Sequence, residues 1–190
     1  MKPMFFLLLA MVPLQGSSST STVLGTTEAM RCYQQSQLVL DMQGISDCDR
    51  AITEGELTKR DLAATYSNRG LIYAGNGELE KALADHNKAI EILPTLGQAY
   101  INRGNVYHHM QRYEAALADY RKAIALEVSP RHVPWYNTGL TLLKLKRFDE
   151  ALAAFRKALP FAPDSRQIKD KIEVLETMAQ RDEAKAPDSR

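Results

Sequence analysis

The chain has 190 residues, the length of one ordinary domain, and a domain of this size buries roughly 70% of its unfolded surface. Its 24 basic and 23 acidic side chains nearly cancel, which argues against a strongly electrostatic nucleic-acid binder or an acidic tail protein. Its 2 cysteines are too few for a disulfide-dense mini-domain or a four-cysteine zinc site.

The first 19 residues have the pattern of a secretory signal peptide. Lys2 precedes a short apolar run, residues 4–12, and small residues follow. The run is too short to cross a bilayer as a helix, which needs about 20 residues. We therefore expect residues 1–19 to direct export to the periplasm or out of the cell, with cleavage after Ser18 or Ser19, and residues 20–27 to be a flexible lead-in. The alternatives are an apolar N-terminus that is retained and a membrane anchor.

A repeat of about 34 residues organises the middle of the chain. Gly70 recurs as Gly104 and Gly139, and one extra residue before the third copy is assigned to the turn at 129–130. Each copy predicts two antiparallel helices, because small residues let helices approach, a ring fills the wedge between them, and proline ends the second helix. The repeated positions are Tyr66, Gly70, Tyr73, Ala82, His86 and Ala89, then Tyr100, Gly104, Tyr107, Ala116, Tyr120 and Ala123, then Trp135, Gly139, Leu142, Ala151, Phe155 and Ala158.

This set of positions resembles the tetratricopeptide repeat over residues 63 to about 165. The resemblance implies an all-α fold, an α-solenoid of stacked antiparallel helix pairs, with repeats at 63–96, 97–131 and 132–165. There are two departures from the family pattern. His86 stands where an aromatic carbon ring is usual, and Arg69 and Arg103 occupy a position usually held by leucine.

Residues 28–57 look like a degenerate N-terminal helix pair. Sliding the first repeat back by 38 residues places Cys32 on Gly70 and Cys48 on His86. Within this repeat framework both cysteines occupy facing positions of one helix pair, so we predict a Cys32–Cys48 disulfide, for which an exported protein meets oxidising conditions. Two free buried thiols are the alternative.

A pair of opposite charges recurs with the repeats. Arg69 and Asp85 are 16 residues apart, as are Arg103 and Asp119, and the third repeat has neither charge. Because burying one charge alone is costly, their joint loss indicates that the arginine of the first helix meets the aspartate of the second. The alternative is chance co-occurrence on solvated faces.

Residues 166–181 are predicted to form a capping helix. Apolar side chains recur there at helical spacing between charged ones, so this helix is expected to cover the exposed apolar edge of the third repeat. The apolar residues are Ile168, Ile172, Leu175 and Met178. Residues 182–190 are polar and are expected to be loose.

The sequence offers no evident catalytic, cofactor or metal-binding set. The glycine-rich turn at 75–77 lacks the lysine and the spacing of a phosphate loop, and no serine has a nucleophile-elbow pattern. His86 falls in a core position, and His108 and His109 are adjacent, so they diverge around a helix and do not converge on one ion. We therefore expect no enzyme activity, no cofactor and no metal site.

The resemblance implies that the first helix of each repeat lines a concave groove. An asparagine recurs there in all three repeats, and its amide offers donors and an acceptor to an extended peptide backbone. Hydrogen bonds to the backbone of the next helix are the equally open alternative. The groove residues would be Ala64, Ser67, Asn68 and Leu71, then Gln98, Ile101, Asn102, Asn105, His108 and His109, then Val133, Tyr136, Asn137, Leu140 and Lys144.

The groove composition narrows the kind of partner. Family members that clamp a C-terminal carboxylate use Lys and Arg where this chain has Ser67, Leu71 and Val133, so such a tail is not the expected ligand. An apolar, amide-rich groove favours a protein segment that is helical or extended and not strongly charged. We expect no nucleic-acid partner and no stable membrane span after processing.

Three classes of function follow. The leading prediction is an exported protein–protein interaction module, an adaptor or assembly factor, because the repeat pattern is clear and a catalytic set is missing. A structural or self-associating solenoid protein is the second class, and an enzyme or small-molecule binder is the third.

Overall fold

The computed structural model describes residues 27–38 and 43–185, and its regular structure in these ranges is entirely helical. The predicted signal peptide (1–19), the lead-in up to residue 26 and the last residues, 186–190, lie outside the described residues. The helices are α1 (Thr27–Leu38), α2 (Gln43–Glu54), α3 (Lys59–Gly75), α4 (Leu79–Ile92), α5 (Gly97–His109), α6 (Tyr113–Ala125), α7 (His132–Lys144), α8 (Phe148–Ala158), a short 3₁₀ turn (Leu159–Phe161) and α9 (Arg166–Lys185).

The helices form four hairpins followed by a single helix. The partners are α1 with α2, α3 with α4, α5 with α6 and α7 with α8, and the second helix of each hairpin contacts the first helix of the next. The first helices also touch one another, α1 against α3, α3 against α5 and α5 against α7, while α9 packs on α8. The predicted α-solenoid, with its degenerate N-terminal pair and its capping helix, is therefore confirmed.

Glycine and a ring make the contact inside each hairpin. The rings of Tyr120 and Phe155 are buried, with exposed fractions of 1% and 0%. A Cβ built at Gly104 would lie 2.6 Å from Tyr120 Cε1, and one at Gly139 would lie 2.7 Å from the Phe155 ring. Only glycine permits this approach, since real Cβ atoms do not come so close. The alanines at the other repeated positions are fully buried as well: Ala82, Ala89, Ala116, Ala123, Ala151 and Ala158.

The turns inside the hairpins of the three repeats share one backbone conformation. Gly77, Gln111 and Lys146 stand at equivalent positions and have φ values of +80°, +59° and +58°. Only the first turn places glycine in this left-handed region, where a side chain costs conformational energy. The sequence therefore indicated this left-handed backbone position, through a glycine, in only one of the three repeats.

Side-chain caps begin two of the helices. The hydroxyl of Thr58 accepts the amide N–H of Asp61 at 3.2 Å at the start of α3. At the start of α9, Ser165 Oγ accepts the amide N–H of Ile168 at 3.4 Å. That helix runs past the predicted end at residue 181 to Lys185. No helix in the described ranges is both long enough and apolar enough to span a membrane.

The N-terminal hairpin repeats the plan of the others with different chemistry. Cys32 and Cys48 are fully buried, their Cα atoms are 4.8 Å apart and their sulfur atoms are 2.16 Å apart. The two cysteines stand where other hairpins pair glycine with a ring. Beside them, Arg31 Nε donates to Asp47 Oδ1 at 3.1 Å across the same 16-residue separation as the charge pairs of the later repeats.

Candidate partner-binding wall

Side-chain hydrogen bonds join the first helices of repeats one and two. Asn102 Nδ2 on α5 donates to Ser67 Oγ on α3 at 3.2 Å, and Gln98 Nε2 donates to Asn102 Oδ1 at 3.0 Å. The same serine oxygen lies 3.4 Å from Nδ1 of His86, in the core of the first hairpin. These contacts link the groove side of α3 and α5 to the interior.

A second set of bonds joins α5 to α7. Asn137 Nδ2 donates to Asn105 Oδ1 at 2.9 Å, and that oxygen also accepts the Tyr120 hydroxyl at 2.9 Å. His108 Nδ1 lies 2.8 Å from Thr141 Oγ1. Because the Thr141 hydroxyl donates to the Asn137 carbonyl at 2.9 Å, the His108 Nδ1–H is the donor and Nε2 is the acceptor of that ring. Three first helices are thus tied together at defined spacings.

Two of the recurring asparagines do not bond to the backbone of a neighbouring helix, which was one of the two alternatives drawn from the sequence, while binding to a partner's peptide backbone stays a prediction. Asn102 and Asn137 donate to side chains of the neighbouring first helix, Ser67 and Asn105, and not to its backbone. Asn68 Nδ2 is buried and has no hydrogen-bond partner among the described residues. The asparagine position therefore contributes to holding the solenoid together in two of the three repeats.

Five of the predicted groove residues are too buried to offer a binding surface, among them Ser67 with an exposed fraction of 4%. Ile101 has an exposed fraction of 2% and packs with Tyr100 and Ala123, so its assignment as a partner-contacting residue is corrected. Asn102 (5%), Asn68 (9%) and Tyr136 (9%) present at most an edge. A helical face can be read from sequence, but the closeness of the next helix, which buries these side chains, cannot.

The remaining predicted residues are at least partly exposed, and we call this set the inner wall. Its side chains lie on α3, α5 and α7, the three helices joined by the bonds described above. His109 and Lys144 are exposed and the others are half-buried. They are Ala64, Leu71, Gln98, Asn105, His108, His109, Val133, Asn137, Leu140 and Lys144.

The histidines of the inner wall are held neutral. Burial lowers the pKa of His108 below its ordinary value, and the nearby His109 and Lys144 lower it further. Burial also lowers the pKa of His109. At neutral pH the wall therefore presents amide, imidazole and aliphatic groups, with Lys144 as its one permanent charge.

The predicted arginine–aspartate pairs are confirmed, on the helix faces away from the inner wall. Arg103 Nε and Nη2 donate to the two carboxylate oxygens of Asp119 at 2.8 and 2.7 Å. The guanidinium lies 5.6 Å from the ring centroid of Tyr100 and 5.8 Å from that of Tyr107. Asp119 has an exposed fraction of 5%, so this pair is nearly removed from water.

Each of these arginines also reaches the preceding hairpin, a contact that the sequence analysis missed. Arg103 Nη1 donates to Asn87 Oδ1 at 2.7 Å, and Arg69 Nη1 donates to Asp49 Oδ1 at 2.5 Å. Arg69 holds Asp85 with two bonds of 2.8 and 2.7 Å, as Arg103 holds its own aspartate. The sequence did contain a sign of this contact, because the same 38-residue slide superposes Asp49 on Asn87, the two residues that accept from the arginines.

The sequence candidates for metal binding and catalysis have the following surroundings. The described residues contain no group of three or more His, Cys, Asp or Glu side chains able to hold a metal ion. His108, the sequence candidate for an enzyme, faces the hydroxyl of Thr141, an arrangement without the carboxylate that would orient it as a base.

The fold and the wall define an α-solenoid of stacked helix hairpins with an accessible inner face. The model of the tetratricopeptide repeat family matches residues 61–126 and 95–164, which together span more than half of the chain. The chain belongs to the tetratricopeptide repeat family. Comparison with curated proteins gives no match.

Three of the solved structures with the same fold are as follows. MamA AMB-1 has a TM-score of 0.63 and 19% identity, over 84% of this chain and 85% of that one. YrrB, described as a TPR protein with an unusual peptide-binding site, has a TM-score of 0.59 and 27% identity, over 67% and 63%. The first TPR of Spaghetti, bound to an HSP90 peptide, has a TM-score of 0.58 and 18% identity, over 62% and 93%.

Proposed function

We propose that this chain is an exported protein–protein interaction module that holds a segment of a partner protein against the inner wall. One observation carries the proposal: α3, α5 and α7 are joined by side-chain hydrogen bonds, and each of the three helices keeps partly exposed side chains on its groove side. A wall fixed before binding loses little entropy when a ligand arrives, which favours affinity. We infer that the protein works by binding and not by catalysis, as an adaptor or assembly factor.

The structural relatives support a peptide as the bound species. The Spaghetti domain is bound to a peptide of HSP90, and YrrB is described by its peptide-binding site. In this chain the places that hold Lys or Arg in carboxylate-clamping members are Ser67, Leu71 and Val133. The proposed partner segment is therefore helical or extended, and it is not recognised through a terminal carboxylate.

The chemistry of the wall indicates how such a segment is held. Leu71, Val133 and Leu140 provide apolar contact, while Gln98 and the acceptor Nε2 of His108 provide hydrogen bonds. An amphipathic helix or an extended strand can satisfy both kinds of contact with one face. Because the histidines are neutral, a segment of low charge suits the wall best.

The binding test compares two matched double variants. Leu71→Asp with Lys144→Glu changes both ends of the inner wall, whereas Ala84→Asp with Lys122→Glu makes the same charge changes at exposed positions of second helices. Each is used as bait for extracts of the compartment that receives the protein, and captured proteins are quantified by mass spectrometry against wild type. We expect a specific partner to be lost only with the wall variant. Equal capture by both variants, with unchanged helicity, contradicts the proposal.

Export and the cysteine bond belong to the same proposal. The sequence pattern of residues 1–19 supports export, and the 4.8 Å between the Cα atoms of Cys32 and Cys48 supports a disulfide formed after export. Mass spectrometry of the protein recovered from cells measures both. We expect a chain beginning near residue 19 with no alkylatable thiol before reduction. An intact N-terminus with two alkylated thiols contradicts this part.

Self-association is the second candidate, favoured by the C-terminal end of the solenoid. Val174 and Met178 on α9 are 57% and 39% exposed, and Phe148 at the start of α8 is 43% exposed. Large apolar side chains clustered at a solenoid end are candidates for stacking against another copy. Light scattering over a hundredfold range of concentration decides: a rising mass supports this candidate, and a constant monomer mass removes it.

A further inference from the structure

A small cavity lies at the connection between α6 and α7, and none of its lining residues belongs to the inner wall. Its volume is about 170 Å³. It is bordered by the end of α6, the connecting turn, the start of α7 and the 3₁₀ turn. We call it the ring pocket, and its apolar lining consists of Ile124, Val128, Pro134, Trp135 and Phe161.

The ring pocket arises where the third repeat departs from the others. In the repeat before, Tyr100 closes the corresponding connection by donating its hydroxyl to the Pro94 carbonyl at 3.2 Å. Trp135 stands at the equivalent position and has no hydroxyl, and the connection before it carries the one extra residue of the repeat array. Phe161 then forms the opposite side and remains 46% exposed.

The size and lining of the pocket suit one ring-sized side chain. An apolar cavity of about 150 Å³ in a protein interior holds a single benzene molecule. The ring pocket, at about 170 Å³, is comparable and opens to the surface. Buried aromatic anchors of this size dominate many protein interfaces, so the cavity is large enough to matter for recognition.

The charges at the rim of the pocket determine which residue types suit the positions next to the bound side chain. Arg131 lies 5.8 Å from the Phe161 ring centroid and is neutralised by Glu127, whose carboxylate is 2.8 Å away. Lys157 Nζ lies 4.7 Å from the Trp135 ring centroid, and no carboxylate of the described residues pairs with it. One unpaired cation therefore stands beside the pocket, and its complement is a carboxylate.

We propose that the ring pocket binds a protein segment through one bulky apolar side chain, with an aspartate or glutamate next to it that pairs with Lys157. The segment is a second point of contact, separate from the inner wall. It either belongs to the same partner or recruits another one. The occupant is defined by its chemistry: an aromatic or leucine side chain inside, and an acidic residue at the rim.

Trp135 gives a direct readout, because it is the chain's 1 tryptophan. The probes are three short blocked peptides that place phenylalanine between aspartates, phenylalanine between lysines, or alanine between aspartates. A single anchor of this size supports only about millimolar affinity. We expect a saturable change of Trp135 emission with the first peptide, binding weaker by about threefold or more with the second, and no saturation with the third.

Three variants distinguish binding in the ring pocket from non-specific contact between peptide and protein. Phe161→Ala removes one side of the pocket and is expected to abolish saturable binding. Lys157→Gln is expected to weaken the binding of the peptide with phenylalanine between aspartates by about threefold. Lys122→Gln is the matched control, since Lys122 is exposed at the equivalent position of the second repeat, and binding should not change. Melting curves establish that all three variants fold. The proposal is overturned by the absence of saturation in wild type, by equal responses to phenylalanine and alanine peptides, or by undiminished binding to Phe161→Ala.

Discussion

One position in each of the three repeats carries a ring, and in the first repeat that ring is an imidazole. His86 is fully buried, its Nε2 has no hydrogen-bond partner among the described residues, and burial together with the charge of Arg103 lowers its pKa to about 3. Tyr120 and Phe155 fill the same position without a titrating group of this kind. The first repeat therefore holds a base that the fold keeps neutral.

The buried histidine makes stability depend on pH. The pKa falls from its ordinary 6.5 in the unfolded chain to about 3 in the fold, so the unfolded state binds the proton first and stability is lost as pH drops below 6.5. From about pH 7.5 to 5.5 this group alone should cost about 1.4 kcal/mol. Urea unfolding of wild type and of His86→Phe, which copies the third repeat, measures the effect. Parallel pH profiles for the two proteins contradict it.

A second effect on stability is expected from replacing the glycine that faces Tyr120. In Gly104→Ala the new Cβ would lie 2.6 Å from Tyr120 Cε1, and the ring cannot move freely because its hydroxyl is bonded to Asn105. We expect a loss of about 1–3 kcal/mol in the free energy of unfolding. Chemical denaturation measures it, with Gly77→Ala as the control, where space is open and only backbone strain acts. A loss at Gly104 no larger than at Gly77 would show that the ring contact is not tight.

At the residue scale, the sequence predicted which positions are inward and which face the groove. It did not predict that Asn102 and Tyr136 are too buried to contact a partner. The period of a helix defines its faces, but the depth of a side chain depends on how closely the next helix approaches. That approach is set by three-dimensional contacts, such as the bond from Asn102 to Ser67, that no single helix encodes.

Among the elements, the arginines of the first helices of repeats one and two, Arg69 and Arg103, each tie two hairpins together. Arg103 binds Asp119 in its own hairpin and Asn87 in the hairpin before. It is clamped between two tyrosine rings, which adds cation–π contact and fixes the side chain. The sequence revealed the first half of this arrangement through the joint loss of both charges in the third repeat. The second half joins neighbouring hairpins, and the only sequence sign of it was the 38-residue slide that superposes Asp49 on Asn87.

A double-mutant comparison tests the pair. Arg103→Thr leaves Asp119 buried without its partner and should cost about 2–4 kcal/mol, whereas Arg103→Thr with Asp119→Ala, the residues of the third repeat, should cost less. Thermal or urea unfolding of the single and double variants measures the difference. A double variant less stable than the single one would mean that the aspartate does not depend on the arginine.

We expect a Cys32–Cys48 disulfide to stabilise the N-terminal hairpin, which among the described residues packs against another hairpin on one side only. A bridge across 16 residues contributes about 3 kcal/mol in the chain-entropy model. We expect Cys32→Ala with Cys48→Ala to lower the stability of the chain by that amount, and we expect reductant to have the same effect on wild type. Melting with and without reductant checks this. If reductant changes the melting temperature of neither wild type nor the double variant, the cysteines are not bonded.

The fold of the whole molecule was easier to predict than its details, because each local sequence feature occurs several times in the repeats. Gly70, Gly104 and Gly139 gave the register, and the slide that aligned Cys32 gave the fourth hairpin. The ring pocket could not be predicted, since it depends on how one extra residue displaces a connection in space. The bonds between first helices were equally out of reach, because they join residues 32 to 35 positions apart that share no pattern.

Site-specific photocrosslinking tests most directly the claim that the inner wall binds a partner. A photoreactive residue replaces Leu71, Gln98 or His109 on the wall, or Ala84 or Lys122 on the second helices, in the full-length protein expressed in its own cells. We predict adducts with the same protein from all three wall positions and none from the other two. Adducts that form from the second-helix positions and not from the wall would contradict the account.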